Sequence, residues 1–127
     1  VEAGRLTPVD AVDPLVDHPF VAALAASPFA PPGPEGVDRG ELRELVRRGI
    51  VVEVEGIFFA ASALDGAAGL AASILAERPE GFTVSTFREA AGNTRRHAMP
   101  LLTRLDETGV TRRRGDVRIA GPRLPGG

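Results

Sequence analysis

Four arginines fall within the eleven residues GVTRRRGDVRI (109–119): Arg112, Arg113, Arg114 and Arg118. A second basic group lies upstream, where Arg95 and Arg96 stand between Thr94 and His97, with Arg88 a short distance before them. Guanidinium groups stay charged at any working pH, and their planar fork fits phosphate oxygens and guanine edges. This residue type at this density points to an anionic partner, with nucleic acid the first candidate. Other chemistry is thin. His18 and His97 are far apart in the chain, there is no cysteine, and no metal-ligand constellation forms. Neither a phosphate-binding G-x-x-x-x-G-K-[ST] loop nor a G-x-S-x-G nucleophile motif occurs. The stretch reads as a binding module, not an enzyme.

The rest of the chain does not share this charge. The formal net charge is -2 over 127 residues. Residues 1–77 hold 5 arginines against 12 acidic residues, and residues 78–127 hold 10 against 5, so the halves carry -7 and +5. Every basic residue is arginine, as codon bias in a GC-rich genome would produce, but such bias would spread arginine evenly. Cysteine is absent, as in proteins of reducing compartments. There is no apolar run of about 18 residues, signal peptide or lipidation motif. The expected location is the cytoplasm, with no membrane partner.

The elements that must carry the arginines follow from periodicity and punctuation. PFVAALAAS (19–27) reads as a short helix with Pro19 in its first turn, and PFAPPGPEG (28–36) as a proline-rich loop. Asp38 and Glu41 form a capping box for a helix over Asp38–Arg48, which Gly49 ends. IVVEVEGIFFAA (50–61) is a β-hairpin turning at Glu55-Gly56. An alanine-rich helix is expected over Ala67–Glu77, with Leu70, Ile74 and Leu75 inward. Thr83 caps a short helix through Ala91 anchored by Phe87, and Gly92 supplies a left-handed turn. The next helix begins at Thr94, with Ala98, Leu101, Leu102 and Leu105 at i, i+3, i+4, i+7, and Gly109 ends it. Pro100 sits inside it, so a kink is expected there. Two short strands around Arg114-Gly115 close the unit.

Helix, short helix, turn, helix and β-hairpin is the winged helix-turn-helix order. The expected fold is α+β, mainly α, with two tandem winged-helix domains, the first abridged. The boundaries are a lead-in over 1–13, a first domain over 14–65, a second over 66–122 and a tail over 123–127. The first unit is acidic and reads as a spacer, not a nucleic-acid reader.

In the second unit the arginines are electrostatically out of place. The first turn of a helix exposes unpaired N–H groups with partial positive charge, and Arg95 and Arg96 add to it. A phosphate docked there would reverse the balance. In the wing, alternate residues share a face, so Arg112 and Arg114 cannot point the same way as Arg113. At least part of that cluster faces solvent.

The stretch FTVSTFREAAGNTRRHAMPLLTRLDETGVTRRRGDVRIA (82–120) resembles the last winged-helix domain of bacterial selenocysteine-specific translation elongation factors, the SelB family. The match runs through Phe87, Arg88, Gly92, Thr94, Arg95 and Arg96, continues through Ala98, Pro100, Leu101, Leu102, Leu105 and Asp106, and ends in Gly109, Thr111, Arg113, Gly115, Asp116 and Arg118. It covers about the last 40 residues and accounts for Pro100, which the family tolerates in this helix. The preceding unit resembles the penultimate winged domain more loosely. The family usually has lysine where Arg96 stands and often an aromatic residue where His97 stands.

The resemblance implies a role. These domains bind an mRNA hairpin that directs selenocysteine insertion at UGA codons. By this analogy the RNA-binding residues are Arg88, Thr94, Arg95, Arg96, His97, Arg112, Arg113, Arg114 and Arg118. Ribosome and selenocysteyl-tRNA would be partners of the full-length protein. GTP and magnesium would belong only to an upstream GTPase part, leaving this fragment without catalytic residues, metal or cofactor and monomeric. Two other readings compete. One is a winged-helix transcription regulator on duplex DNA, which expects a dimerising segment that is not found. The other is a protein-interaction module using the acidic first unit.

Overall fold

The structure is a computed structural model that describes residues 18–125; the expected lead-in over 1–13 lies outside them. Five helices and five short strands follow in the order α1 (Pro19–Ala26), α2 (Arg39–Arg47), β1 (Val51–Val54), β2 (Ile57–Ala60), α3 (Ala61–Glu77), β3 (Phe82–Thr83), α4 (Val84–Ala91), α5 (Arg95–Glu107), β4 (Thr111–Arg114) and β5 (Val117–Ala120). This is the α+β, winged-helix order that the sequence implied.

The first two helices are joined through their caps. His18 accepts from the Phe20 amide through Nδ1 (3.0 Å), which leaves Nε2 to meet Glu41 Oε1 at 2.8 Å. The expected capping box is therefore half formed. Asp38 Oδ2 accepts from the Glu41 amide, but the Glu41 carboxylate turns away to His18 instead of returning to the cap. Beneath them Phe20, Leu24 and Leu45 are buried with Val51 and Ala60.

The hairpin β1–β2 has two apolar faces. Its register pairs Val51 with Ala60 and Val52 with Phe59. Cross-strand partners share a face and neighbours along a strand alternate, so these two pairs point oppositely. Val51, Ala60 and Phe58 pack on α1 and α2, where the Phe20 and Phe58 rings meet edge to face at 6.4 Å. Val52, Val54, Ile57 and Phe59 join the other core, with α3, α4 and α5. The first unit's hairpin is thus a layer between two cores.

Helix α3 corrects the expected boundaries. It begins at Ala61, six residues before the expected start, directly on the end of β2 and without a side-chain cap. The expected division between residues 65 and 66 falls inside this 17-residue helix. Ala63, Ala67 and Ala71 make a buried stripe whose small side chains admit close neighbours, and Ile74 and Leu75 complete it. Leu70 is only partly buried.

The second unit follows the sequence closely. Thr83 Oγ1 accepts from the Thr86 amide at the start of α4, and Phe87 anchors the helix with its ring stacked on Phe82 at 6.0 Å. Gly92 then adopts φ +69, ψ +30, the left-handed turn its lack of Cβ permits. Helix α5 runs unbroken through Pro100, with Ala98, Leu101, Leu102 and Leu105 buried. The two-strand wing gains a third member, β3, which pairs antiparallel with β5. The turn between β4 and β5 is Gly115-Asp116, one residue later than expected.

Candidate nucleic-acid interface

Helix α5 starts without a side-chain cap. Thr94 occupies the cap position, but its hydroxyl meets His97 Nδ1 at 3.2 Å instead of a backbone amide. The Thr94 carbonyl already accepts from the His97 and Ala98 amides. What remains is an exposed helix start bearing Arg95 and Arg96. Both side chains are exposed, and neither forms an ion pair among the described residues. Amide dipoles and two guanidinium groups concentrate positive potential at one spot.

Two clefts flank this start. On one side, an open cleft of ≈ 390 Å³ lies between the tip of the β1–β2 hairpin, with Glu55 and Ile57, and the first turns of α5, with Arg95, Arg96, Met99 and Pro100. On the other side, a cleft of ≈ 230 Å³ lies between Arg95 and Met99, the start of α4 with Thr83 and Ser85, and the wing with Arg113, Asp116 and Arg118. Arg95 and Met99, one helical turn apart, form the ridge between them. The first turn of α5 therefore runs between two hairpin tips, one from each unit.

The wing arginines divide as strand geometry requires. Arg113 faces the cleft beside Arg95, and its Nε donates to the Gly115 carbonyl at 3.1 Å. Arg112 and Arg114 are exposed on the opposite face of β4. A single cationic face holding all the wing arginines does not form.

Arg118, expected as an RNA contact, lines the wing-side cleft but is nearly buried, its side chain 4% exposed. Its cross-strand partner is Arg113, but its guanidinium turns inward to Asp106 Oδ2, with Nη2 at 3.1 Å and Nε at 3.3 Å. The other Asp106 oxygen accepts from the buried Thr111 hydroxyl at 2.6 Å. The carboxylate near the end of α5 thus locks the wing to the helix. Buried charge needs such a partner, and Arg118 has spent its fork on it.

His97 and Arg88 also take other positions. His97 is half-buried, and burial, then the neighbouring Arg96 charge, lowers its pKa, while a hydrogen bond to the Pro31 backbone opposes both. Proline has no N–H, so the acceptor is the Pro31 carbonyl. Just before the helix, Asn93 Nδ2 donates to the Phe29 carbonyl at 2.7 Å. The imidazole is thus turned toward the proline-rich loop of the first unit, not outward for base stacking. Asn93, which sequence reasoning missed, is a second strut to that loop. Arg88 is half-buried in the last turn of α4 and lines neither cleft.

Residues 73–120 match the family model described as elongation factor SelB, winged helix, the third such domain of that factor. Over residues 73–120 the chain is similar to that winged helix. Among solved structures, the chain is similar to the mRNA-binding domain of elongation factor SelB from E. coli in complex with SECIS RNA. That likeness has 25% identity and a TM-score of 0.57, over 65% of this chain and 69% of that one. A bacterial selenocysteine-specific elongation factor, EF-Sec, is similar at 26% identity and a TM-score of 0.56, over 68% of this chain. The chain spans 14% of the length of that factor. No curated protein matches it. Among the described residues, no helix is long and apolar enough to cross a membrane.

Proposed function

We propose that this chain is the RNA-binding portion of a selenocysteine-specific translation elongation factor, and that it grips an mRNA hairpin directing selenocysteine insertion at UGA. The observation that carries this reading is the uncapped start of α5, where Arg95 and Arg96 stand exposed and Arg113 faces Arg95 across a cleft. Phosphates of a hairpin turn would enter that potential, with the first-turn amides as donors. RNA loops present splayed bases and irregular backbone, which suits two short clefts better than a long groove does. The likeness to the SelB domain solved with SECIS RNA supports the same reading.

Within it, Arg95, Arg96, Arg113 and the Thr94 region make the central contact. Arg112 and Arg114 on the outer wing face and Arg88 in the last turn of α4 serve as peripheral phosphate contacts. GTP hydrolysis with its magnesium, the selenocysteyl-tRNA and the ribosome belong to the whole factor working in the cytoplasm. This region needs no cofactor of its own. Competition tests the proposal: a short RNA stem-loop should displace labelled RNA from the chain at moderate salt far better than random duplex DNA does. Equal competition would remove the preference for RNA.

A further inference from the structure

At the far end of α5 from Arg95, a cleft of ≈ 400 Å³ opens between α3, the last turns of α5 and the segment after β5. Its floor is hydrocarbon. Leu64 and Ala68 share a face of α3, and Leu105 and Val52 complete it. Leu64, Ala68 and Val52 pack on the core yet stay only partly buried. The rim carries Arg104 and Arg123, with Asp65 the one acidic residue that lines it. Neither arginine is spent inside the fold. Arg104 Nε finds no acceptor among the described residues, and Nη1 stands 3.7 Å from Glu107, too far for a hydrogen bond. The Arg123 side chain makes no hydrogen bond or ion pair among the described residues. Backbone contacts nevertheless hold it at the rim. Its amide donates to the Gly109 carbonyl at 2.8 Å, and the Gly121 amide donates to the Val110 carbonyl at 3.0 Å. A Cβ on Gly121 would stand 2.3 Å from that same Gly109 oxygen, so only glycine lets the segment lie this close. Arg118 is the contrast, its guanidinium already taken by Asp106.

Cations near the end of a helix complement its dipole, but that role needs no apolar floor beside them. A nucleic-acid strand is a poor occupant. It carries a charge at every nucleotide, so phosphates beyond the one on the arginines would meet Asp65 and the negative end of α5. It also brings nothing to bury on Leu64, Ala68 and Leu105. A polypeptide carrying a single carboxylate beside a hydrocarbon side chain matches every wall. The carboxylate takes the two guanidinium forks, the hydrocarbon covers the floor, and Asp65 accepts a backbone N–H of the same segment. We propose that this cleft docks a short segment of a partner protein in which an Asp or Glu adjoins a large aliphatic residue. Arg95 and Arg104 are about 13 Å apart along the helix axis, at ~1.5 Å per residue. Partner and RNA are therefore held at separate ends of α5, and the inference does not depend on the RNA reading.

The test selects random dodecapeptides displayed on phage against the 127-residue chain, then titrates each enriched peptide in synthetic form. Enriched peptides should share an Asp or Glu beside Leu, Ile, Val or Met. Replacing that acid by its amide should weaken binding roughly 10- to 150-fold, the range of one hydrogen bond to a charged group. On the protein side, Arg104→Met should weaken it by a similar factor, and Arg123→Met in the same direction. Both variants keep hydrocarbon in place of the stem, and an unchanged urea midpoint shows that the fold is intact. A saturating RNA stem-loop should leave peptide affinity unchanged. The inference is overturned by a selection that enriches no peptide or none with the acid–aliphatic pair. It is overturned equally by peptides that bind Arg104→Met and Arg123→Met as tightly as wild type. Displacement of the peptides by RNA also overturns it, because they would then sit on the arginines at the start of α5.

Discussion

The contact between Asp106 and Arg118 gives the sharpest quantitative expectation. The Arg118 side chain is 4% exposed and that of Asp106 24%. Replacing Asp106 with alanine leaves a guanidinium buried without a counter-charge and takes the acceptor from the buried Thr111 hydroxyl. Breaking a fully buried pair by removing one partner costs about 3–5 kcal/mol. Water reaches this carboxylate, so the loss should lie near the lower end, at about 3 kcal/mol. The opposite truncation is milder. Arg118→Met removes the charge that needed compensation, keeps apolar volume and leaves Asp106 with Thr111 and solvent, a loss of about 1 kcal/mol. The double variant should recover most of the Asp106→Ala loss. Urea unfolding reads all three as shifts in midpoint at constant slope. If Asp106→Ala costs no more than Arg118→Met, the buried-pair argument fails. Salt titration of RNA binding supplies an independent check, because Arg118→Met should leave the slope of log K against log salt unchanged. A slope lowered by about 0.7–0.9 would restore Arg118 as a phosphate contact.

The remaining expectations concern the start of α5. Arg95→Ala and Arg96→Ala should each lower that salt slope by about 0.7–0.9 in titrations with a stem-loop RNA, while urea stability holds or rises by about 0.3–1 kcal/mol as repulsion from the helix dipole is relieved. Asn93→Ala should cost about 0.5–1.5 kcal/mol in urea through its lost bond to Phe29, and should speed hydrogen exchange of the α5 first-turn amides. His97, whose pKa is lowered from 6.5 in the fold, binds its proton less readily than it does in the unfolded chain. Stability should therefore be full above about pH 6.5 and fall as the pH drops below it. Thermal melts of His97→Gln should lose that component of the pH dependence.

Much of the fold is legible in the sequence because its punctuation is local. Asp38, Thr83 and Gly92 act within three or four residues of themselves, and each sits where the chain order demands. The spacing of Ala98, Leu101, Leu102 and Leu105 outweighs Pro100, and the helix continues through it. Two things are not legible. The start of α3 carries no capping side chain, because β2 runs straight into the helix and Ala60 merely changes backbone conformation. Strand β3, only two residues long, exists through its pairing with β5 and not through any pattern of its own.

The candidate site divides the same way. The exposed pair at Arg95 and Arg96 follows from helix position alone, as does the split between Arg113 and its neighbours. The fate of Arg118 depends on a carboxylate twelve residues earlier, at the far end of another element. Charge density in a sequence does not distinguish a cation offered to solvent from one already neutralised inside. The struts from Asn93 and His97 to the proline-rich loop span more than sixty residues, and no spacing rule reaches so far.

A ribbon clad in hydrocarbon on both sides cannot be separated from either neighbour without wetting one of them. Excising the amino-terminal helices would strand Val51, Phe58 and Ala60 in water, and cutting after the ribbon would do the same to Val54 and Phe59. The two units should therefore unfold together, in one transition rather than two.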